Sequence, residues 1–142
     1  MQQFLQIFIL IPFFAFFLSL LFSTKNERVI SFIAIASISI HLLGVLSFII
    51  YWAIQHFPVL DIKHLTLFQT ADIEIFIDFY FDKISAVYSL VGSLISLIVV
   101  IFSKTYLHRE EGYKRFFTTL LFFFTGYNIV IFSGNFETFF VG

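Results

Sequence analysis

The sequence predicts an all-α transmembrane bundle with four spanning helices, the beginning of a truncated fifth helix, and an external β-hairpin between helices two and three. Three observations support this fold class. Of the 142 residues, 60% are hydrophobic and only 12% are charged, whereas soluble domains are about half apolar. Four stretches without Asp, Glu, Lys or Arg are each long enough to cross a bilayer, which takes about 20 apolar residues. One stretch between them alternates with period two, which is typical of a strand.

Charged residues mark the ends of the predicted spans, because a charge at the bilayer centre costs about 2.5 to 3.5 kcal/mol. The spans are residues 4–22, 29–54, 84–103 and 116–133. The first lacks a preceding positive charge and a small-residue cleavage site, so we interpret it as a retained helix and not as a secretory signal. Pro12 should kink or loosen this helix.

The distribution of basic residues predicts the orientation of the bundle, since Lys and Arg favour the cytoplasmic side. Six lie in the loops after helices one and three, and two lie between helices two and three. The six are Lys25, Arg28, Lys104, Arg109, Lys114 and Arg115, and the two are Lys63 and Lys83. The N-terminus is therefore predicted to lie outside. Arg109, Lys114 and Arg115 form a cytoplasmic topology loop, with contact to a neighbouring subunit or anionic lipid as the alternative role.

Residues 59–80 are predicted to form the β-hairpin. The segment DIEIFIDFYFD alternates acidic and apolar residues strictly, VLDIKHLTLF is rich in strand formers, and QTAD supplies a turn between them. An open hairpin has unpaired edges that hydrocarbon cannot satisfy, so it should lie at the outer surface. Its acidic row is interpreted as a solvated face, with attraction of cations as the alternative.

Small residues follow one face of each of helices two and three. Membrane helices approach closely along such faces, where dispersion and interhelical hydrogen bonds hold them together. The residues assigned to helix packing are Ser37, Gly44, Ser89, Gly92 and Ser96. In helix four, Thr125 and Asn128 are interpreted as hydrogen-bonding groups between helices, with lining of a pathway as the alternative.

His41 lies near the middle of helix two, on the face of small residues. An ionisable group at that depth is a candidate for function, here as a proton relay. The alternative is a neutral imidazole bonded to a serine or to a backbone carbonyl. With one histidine inside the spans, bis-histidine haem ligation within the chain is excluded.

Other classes of function lack support in the sequence. The net charge is −1 and no basic cluster is interleaved with aromatic residues, so no nucleic-acid partner is expected. The chain has no cysteine, and its remaining histidines are too scattered for metal-ligand spacing. No catalytic motif is found. We expect no metal, no cofactor and no catalytic residues in this segment.

Three stretches resemble one family of membrane proteins. They are FDKIS at residues 81–85, KTYLHREEGYKRFF at residues 104–117, and FSGNFETFFVG at residues 132–142. Together they resemble the antiporter-like membrane subunits: subunit five of respiratory complex I, the A subunit of Mrp-type sodium/proton antiporters, and the membrane partner of inorganic-carbon uptake complexes.

The resemblance implies a proton-translocating or cation/proton antiporter-like subunit of a multisubunit complex, such as an NADH-quinone oxidoreductase. Its partners would be the lipid bilayer, other membrane subunits, and protons, with sodium as the alternative ion. Its location would be the bacterial inner membrane. The domains would be helices one and two at 1–55, the hairpin at 56–83, and helices three to five at 84–142.

The chain is expected to be an N-terminal fragment, because family members continue through a fifth helix that carries a proton-transferring Glu. Glu137 is not assigned to that role. The alternative is a complete structural subunit of four helices without transport activity.

Overall fold

The computed structural model describes residues 2–23, 25–56, 60–70, 73–134 and 136–142, and within these ranges it describes the side chains except at 2–5, 60–78 and 136–137. In this part of the chain five helices and two strands follow one another. They are α1 Gln2–Leu21, α2 Glu27–Ile54, β1 Leu60–Thr70, β2 Ile73–Phe81, α3 Lys83–Tyr106, α4 Tyr113–Phe132 and α5 Phe136–Val141.

Three of the helices are long and apolar enough to cross a membrane: α2, α3 and α4. In α1, residues 6–21 form a shorter apolar helix. The prediction of a mostly helical integral membrane protein is thus confirmed, and a fourth span remains a prediction. The helix of α1 runs through Pro12 without interruption.

The two strands pair antiparallel, from Leu60 opposite Phe81 to Thr70 opposite Ile73. The register shifts between Lys63 and Leu65, and again between Thr66 and Phe68. These irregularities lie in the first strand, where the sequence alternates less cleanly. Val59 and the turn residues Ala71 and Asp72 lie outside the described residues.

The end of β2 packs against the helices. Phe81 is buried, and its ring meets Trp52 at 5.1 Å and Phe48 at 5.0 Å between centroids, both edge to face. Asp82 then caps α3, because its carboxylate accepts a hydrogen bond from the backbone N–H of Ser85 at 2.8 Å. The hairpin is thereby joined to the bundle where α2 ends and α3 begins.

Two apolar clusters fill the bundle, one near each end. The cluster at the hairpin end is built from Phe8, Val45, Phe48, Trp52, Phe81, Ala86 and Phe132. The cluster at the opposite end of the bundle, beside the loop between α3 and α4, consists of Ala15, Ile30, Ala34, Ile38, Val100, Tyr113, Phe117, Leu121 and Phe124. Polar side chains lie between these two clusters and form the candidate site.

Candidate functional site

A group of polar side chains is buried at the middle of the bundle, on three helices. Such residues are costly in an apolar environment unless they are hydrogen-bonded, so their presence points to a specific role. We call them the central polar cluster: Ser37, His41, Ser89, Ser93 and Asn128, each 7% exposed or less.

His41 lies at the centre of this cluster and contacts the other three long helices. Its Nδ1 is 2.9 Å from Oγ of Ser93 on α3. Its ring meets Phe8 of α1 at 5.6 Å and Phe124 of α4 at 4.9 Å between centroids, both edge to face. The imidazole is therefore held by one hydrogen bond and two aromatic rings.

The direction of the His41–Ser93 hydrogen bond follows from a second contact. Oγ of Ser93 lies 2.6 Å from the backbone oxygen of Ser89 and donates its hydrogen there. A hydroxyl has one hydrogen, so Ser93 must accept from His41. Nδ1 of His41 then carries the hydrogen, and Nε2 of the neutral ring is a bare acceptor.

Four buried atoms of the cluster have no hydrogen-bond partner among the described residues: Oγ of Ser37, Nε2 of His41, Oγ of Ser89 and Oδ1 of Asn128. The Asn128 amide donates from Nδ2 to the backbone oxygen of Phe124 at 2.7 Å. Its side chain is also near enough to His41 to interact. Nε2 of His41 and Oδ1 of Asn128 are thus two buried acceptors without a donor among the described residues, and Asn128 lies one turn after Phe124, whose ring contacts His41.

Contacts between α3 and α4 fix the position of Ser89. Oγ of Ser85 donates to the backbone oxygen of Ile131, and the Tyr127 hydroxyl donates to the backbone oxygen of Tyr88. The two helices therefore run antiparallel. Ser89 lies at the level of Tyr127 and its neighbour Asn128.

The glycines assigned to helix packing lie at close helix contacts. A Cβ added at Gly44 would lie 3.0 Å from Cε1 of Phe8, and one at Gly92 would overlap the ring of Tyr127. Ser37 and Ser89 belong to the central polar cluster, and Ser96 is half-buried on α3. Their contribution to stability stays a prediction.

The topology loop is tied to the ends of two other helices. Nζ of Lys114 donates to the backbone oxygens of Leu20 and Phe22 at 2.9 and 2.6 Å. It thus satisfies carbonyls at the end of α1 that have no intrahelical donor.

Glu27 holds the other side of the loop. It accepts from Nδ1 of His108 at 2.8 Å and from the backbone N–H of Arg109 at 3.2 Å. Arg109 and Gly112 both have positive φ, at 66° and 94°, and Arg115 is exposed. Left-handed backbone at these two positions lets the loop reverse direction between α3 and α4.

Substitution Lys114→Met should loosen the end of α1. The variant keeps an apolar stem of similar length but removes the hydrogen bonds to Leu20 and Phe22. Because the contact is partly exposed, we expect a loss of about 1 kcal/mol in the free energy of unfolding. Thermal unfolding in detergent would measure it, with Lys104→Met, on an exposed lysine of α3, as the control. Equal melting of Lys114→Met and the parent would contradict the capping role.

Sequence reasoning did not single out Ser93 or the capping role of Lys114. Ser93 follows Ser89 by four residues, so it lies on the same helix face. The face of small residues predicted for α3 contains Gly92 and Ser96 but not Ser93. The role of Lys114 depends on α1 ending beside α4, and a distant contact of this kind has no local signal.

Comparison with known proteins gives a consistent result. Residues 67–117, which include the second strand, α3 and the topology loop, match the family described as "NADH-Ubiquinone oxidoreductase (complex I), chain 5 N-terminus". Over 116 residues, or 80% of the chain, the sequence is 30% identical to the chloroplastic NAD(P)H-quinone oxidoreductase subunit 5 of Lepidium virginicum. The protein of the same name from Capsella bursa-pastoris is 28% identical over 116 residues, also 80% of the chain.

The chain spans 15% of the length of each of these two relatives. Two of the three stretches that carry the resemblance, at 81–85 and 104–117, lie within the matched residues. The resemblance is thus confirmed: the chain is similar to subunit 5 of NAD(P)H-quinone oxidoreductases, and residues 67–117 match the N-terminal region of complex I chain 5.

Proposed function

We propose that the chain is part of a proton-translocating membrane subunit of a complex of the NADH-quinone oxidoreductase type. The observation that carries this proposal is the central polar cluster, in which a buried histidine presents a bare nitrogen between two apolar clusters of the bundle. The relation to subunit 5 supports the same assignment. An ionisable group at such a position is typical of proton relays in transport proteins.

In this proposal His41 is the relay residue. Nε2 accepts a proton from one side and releases it to the other, while the hydrogen bond from Nδ1 to Ser93 keeps the ring in one orientation. Protons are the proposed ions. Sodium is the alternative ion.

For the topology we propose an outer N-terminus, an outer hairpin and α1 as a fourth span. The four helices α1 to α4 then alternate in direction and place the topology loop in the cytoplasm. Location in a bacterial inner membrane also stays a prediction, since the two relatives are chloroplastic.

Single cysteines test this topology directly, because the chain has no cysteine of its own. Glu111→Cys in the exposed topology loop should react with a membrane-impermeant thiol reagent from the cytoplasmic side only. Gln55→Cys, at the exposed end of α2, should react from the outside only. The opposite pattern would invert the proposed orientation.

Proton movement tests the function. Membrane vesicles that contain the chain together with its co-purifying membrane subunits should change their internal pH when the complex is energised, and a pH-sensitive dye reports this change. Vesicles prepared without the chain should not. If pH changes are equal in the two preparations, the chain is not needed for proton movement.

A structural subunit without transport is the second candidate. The observation in its favour is the His41–Ser93 hydrogen bond at 2.9 Å, which provides the serine partner expected of a histidine that serves packing alone. His41 variants decide between the two functions.

A further inference from the structure

His41 on α2 and Asn128 on α4 each carry a buried hydrogen-bond acceptor without a partner among the described residues, and Asn128 lies one turn after Phe124, whose ring contacts His41. Nε2 of His41 is bare because Nδ1 carries the ring hydrogen that Ser93 accepts. Oδ1 of Asn128 is fixed by the other half of the amide, because Nδ2 donates to the oxygen of Phe124 at 2.7 Å. If the amide were flipped, Oδ1 would lie against the backbone oxygen of Phe124, and two acceptors would be in contact. This contact therefore determines which amide atom is Oδ1.

Two acceptors cannot satisfy each other, and each costs free energy when it is buried without a donor. A hydrogen-bond donor placed between Nε2 and Oδ1 would satisfy both acceptors and so remove both free-energy costs. A proton on Nε2 would donate to Oδ1, and a water molecule would donate one hydrogen to each atom. The hydroxyl of Ser89 lies at the level of Asn128 and also has no hydrogen-bond partner among the described residues. Buried waters typically make about three hydrogen bonds to groups of this kind.

We propose that His41 and Asn128 form a binding site for a mobile hydrogen donor, either a water molecule or a proton carried on Nε2. Asn128 is a positioning residue: its Oδ1 accepts a hydrogen bond from the water molecule or from the protonated Nε2 of His41. Phe8, Ser93 and Phe124 contact the ring, and none of these three side chains titrates as an acid or base near neutral pH. None of these three contacts supplies a counter-ion that would hold a proton on Nε2.

This inference rests on the proposed relay function, but its test reads the state of the ring nitrogens and not transport, so each can fail alone. The chain is labelled with nitrogen-15 in its four histidines, placed in lipid bilayers and studied by solid-state NMR. His41→Gln identifies the signals of His41. At neutral pH we expect a hydrogen on Nδ1 and a bare Nε2.

The two sources of the donor give different spectra. Magnetisation transfer from water to Nε2 at neutral pH identifies a bound water. Absence of this transfer, with an Nε2–H bonded to Asn128 on acidification, identifies the proton itself. Either result supports the site. A hydrogen on Nε2 and a bare Nδ1 at neutral pH would overturn it, because the pair would then already be satisfied.

Variants of Asn128 test its part in the site. Asn128→Leu should lower the signal of the donor at Nε2 about fivefold, as expected for the loss of one hydrogen bond. Thr125→Val is the matched control, because the Thr125 hydroxyl already donates to the oxygen of Leu121 at 2.9 Å. We expect this control to match the parent, and an equal signal in Asn128→Leu and the parent would overturn the role of Asn128.

The bond from Nδ1 to Ser93 reports whether the leucine variant keeps its fold. If that bond is lost, Asn128→Asp decides, because it retains an acceptor oxygen at the same place. The signal at Nε2 should persist in this variant. Its loss there, with the Ser93 bond intact, would equally overturn the proposal.

Discussion

Substitution His41→Ala is expected to destabilise the bundle and to reduce proton transport. It removes a fully buried ring that packs between Phe8 and Phe124 and bonds to Ser93. Cavities of this size in protein cores cost about 2 to 4 kcal/mol. Loss of a proton-transferring group typically lowers rates by about a hundredfold or more. Thermal unfolding in detergent and dye-detected proton uptake in vesicles would measure the two effects.

His41→Gln separates these two effects. The glutamine amide can still donate to Ser93 and fills much of the space of the ring, so stability should largely return. An amide does not accept a proton near neutral pH, so transport should remain low if His41 is the relay. Full transport by a stable His41→Gln variant would show that the histidine serves packing alone, as in the structural-subunit alternative.

Gly92→Ala should disturb the contact between α3 and α4 strongly. The added methyl group would overlap the ring of Tyr127 and force it away, which breaks the 2.8 Å hydrogen bond from the Tyr127 hydroxyl to Tyr88. Overpacking of this kind costs about 1 to 3 kcal/mol, and the lost hydrogen bond adds about 1 kcal/mol. The fraction folded against increasing denaturing detergent would measure the change.

Gly44→Ala is the matched control on α2. Its methyl group would meet Cε1 of Phe8 at 3.0 Å, which a small shift of the Phe8 ring relieves. We therefore expect a clearly smaller loss of stability than at Gly92. Equal losses at the two positions would show that the Tyr127 contact has no special importance.

Much of the architecture follows from the positions of the charged residues. The predicted second span, 29–54, and the observed α2, Glu27–Ile54, differ by two residues at one end. The third and fourth helices begin earlier than the predicted spans. The helix α3 begins at Lys83 and α4 begins at Tyr113, whereas the apolar runs begin at residues 84 and 116. A charge at the membrane surface does not end a helix, so charge-free runs underestimate helix length.

The candidate site could be predicted only in part. The depth of His41 follows from its place in the span, and its polar neighbours on α2 follow from helical period. Its hydrogen bond to Ser93 does not, because it depends on the rotation and axial offset of α3 relative to α2. The pairing of Nε2 with Asn128 depends in the same way on α4. The rotation and axial offset of one helix relative to another are set by side-chain packing between them, and a single sequence does not show which side chains are in contact.

The position of the central polar cluster between two aromatic-rich apolar clusters has a consequence for the access of water to His41. Phe8 of α1 and Phe124 of α4 both contact the His41 ring, and they belong to the apolar clusters at the two ends of the bundle. In the proposed relay these two rings would limit the access of water to His41 from either end of the bundle, and a change of rotamer at one of them would admit it.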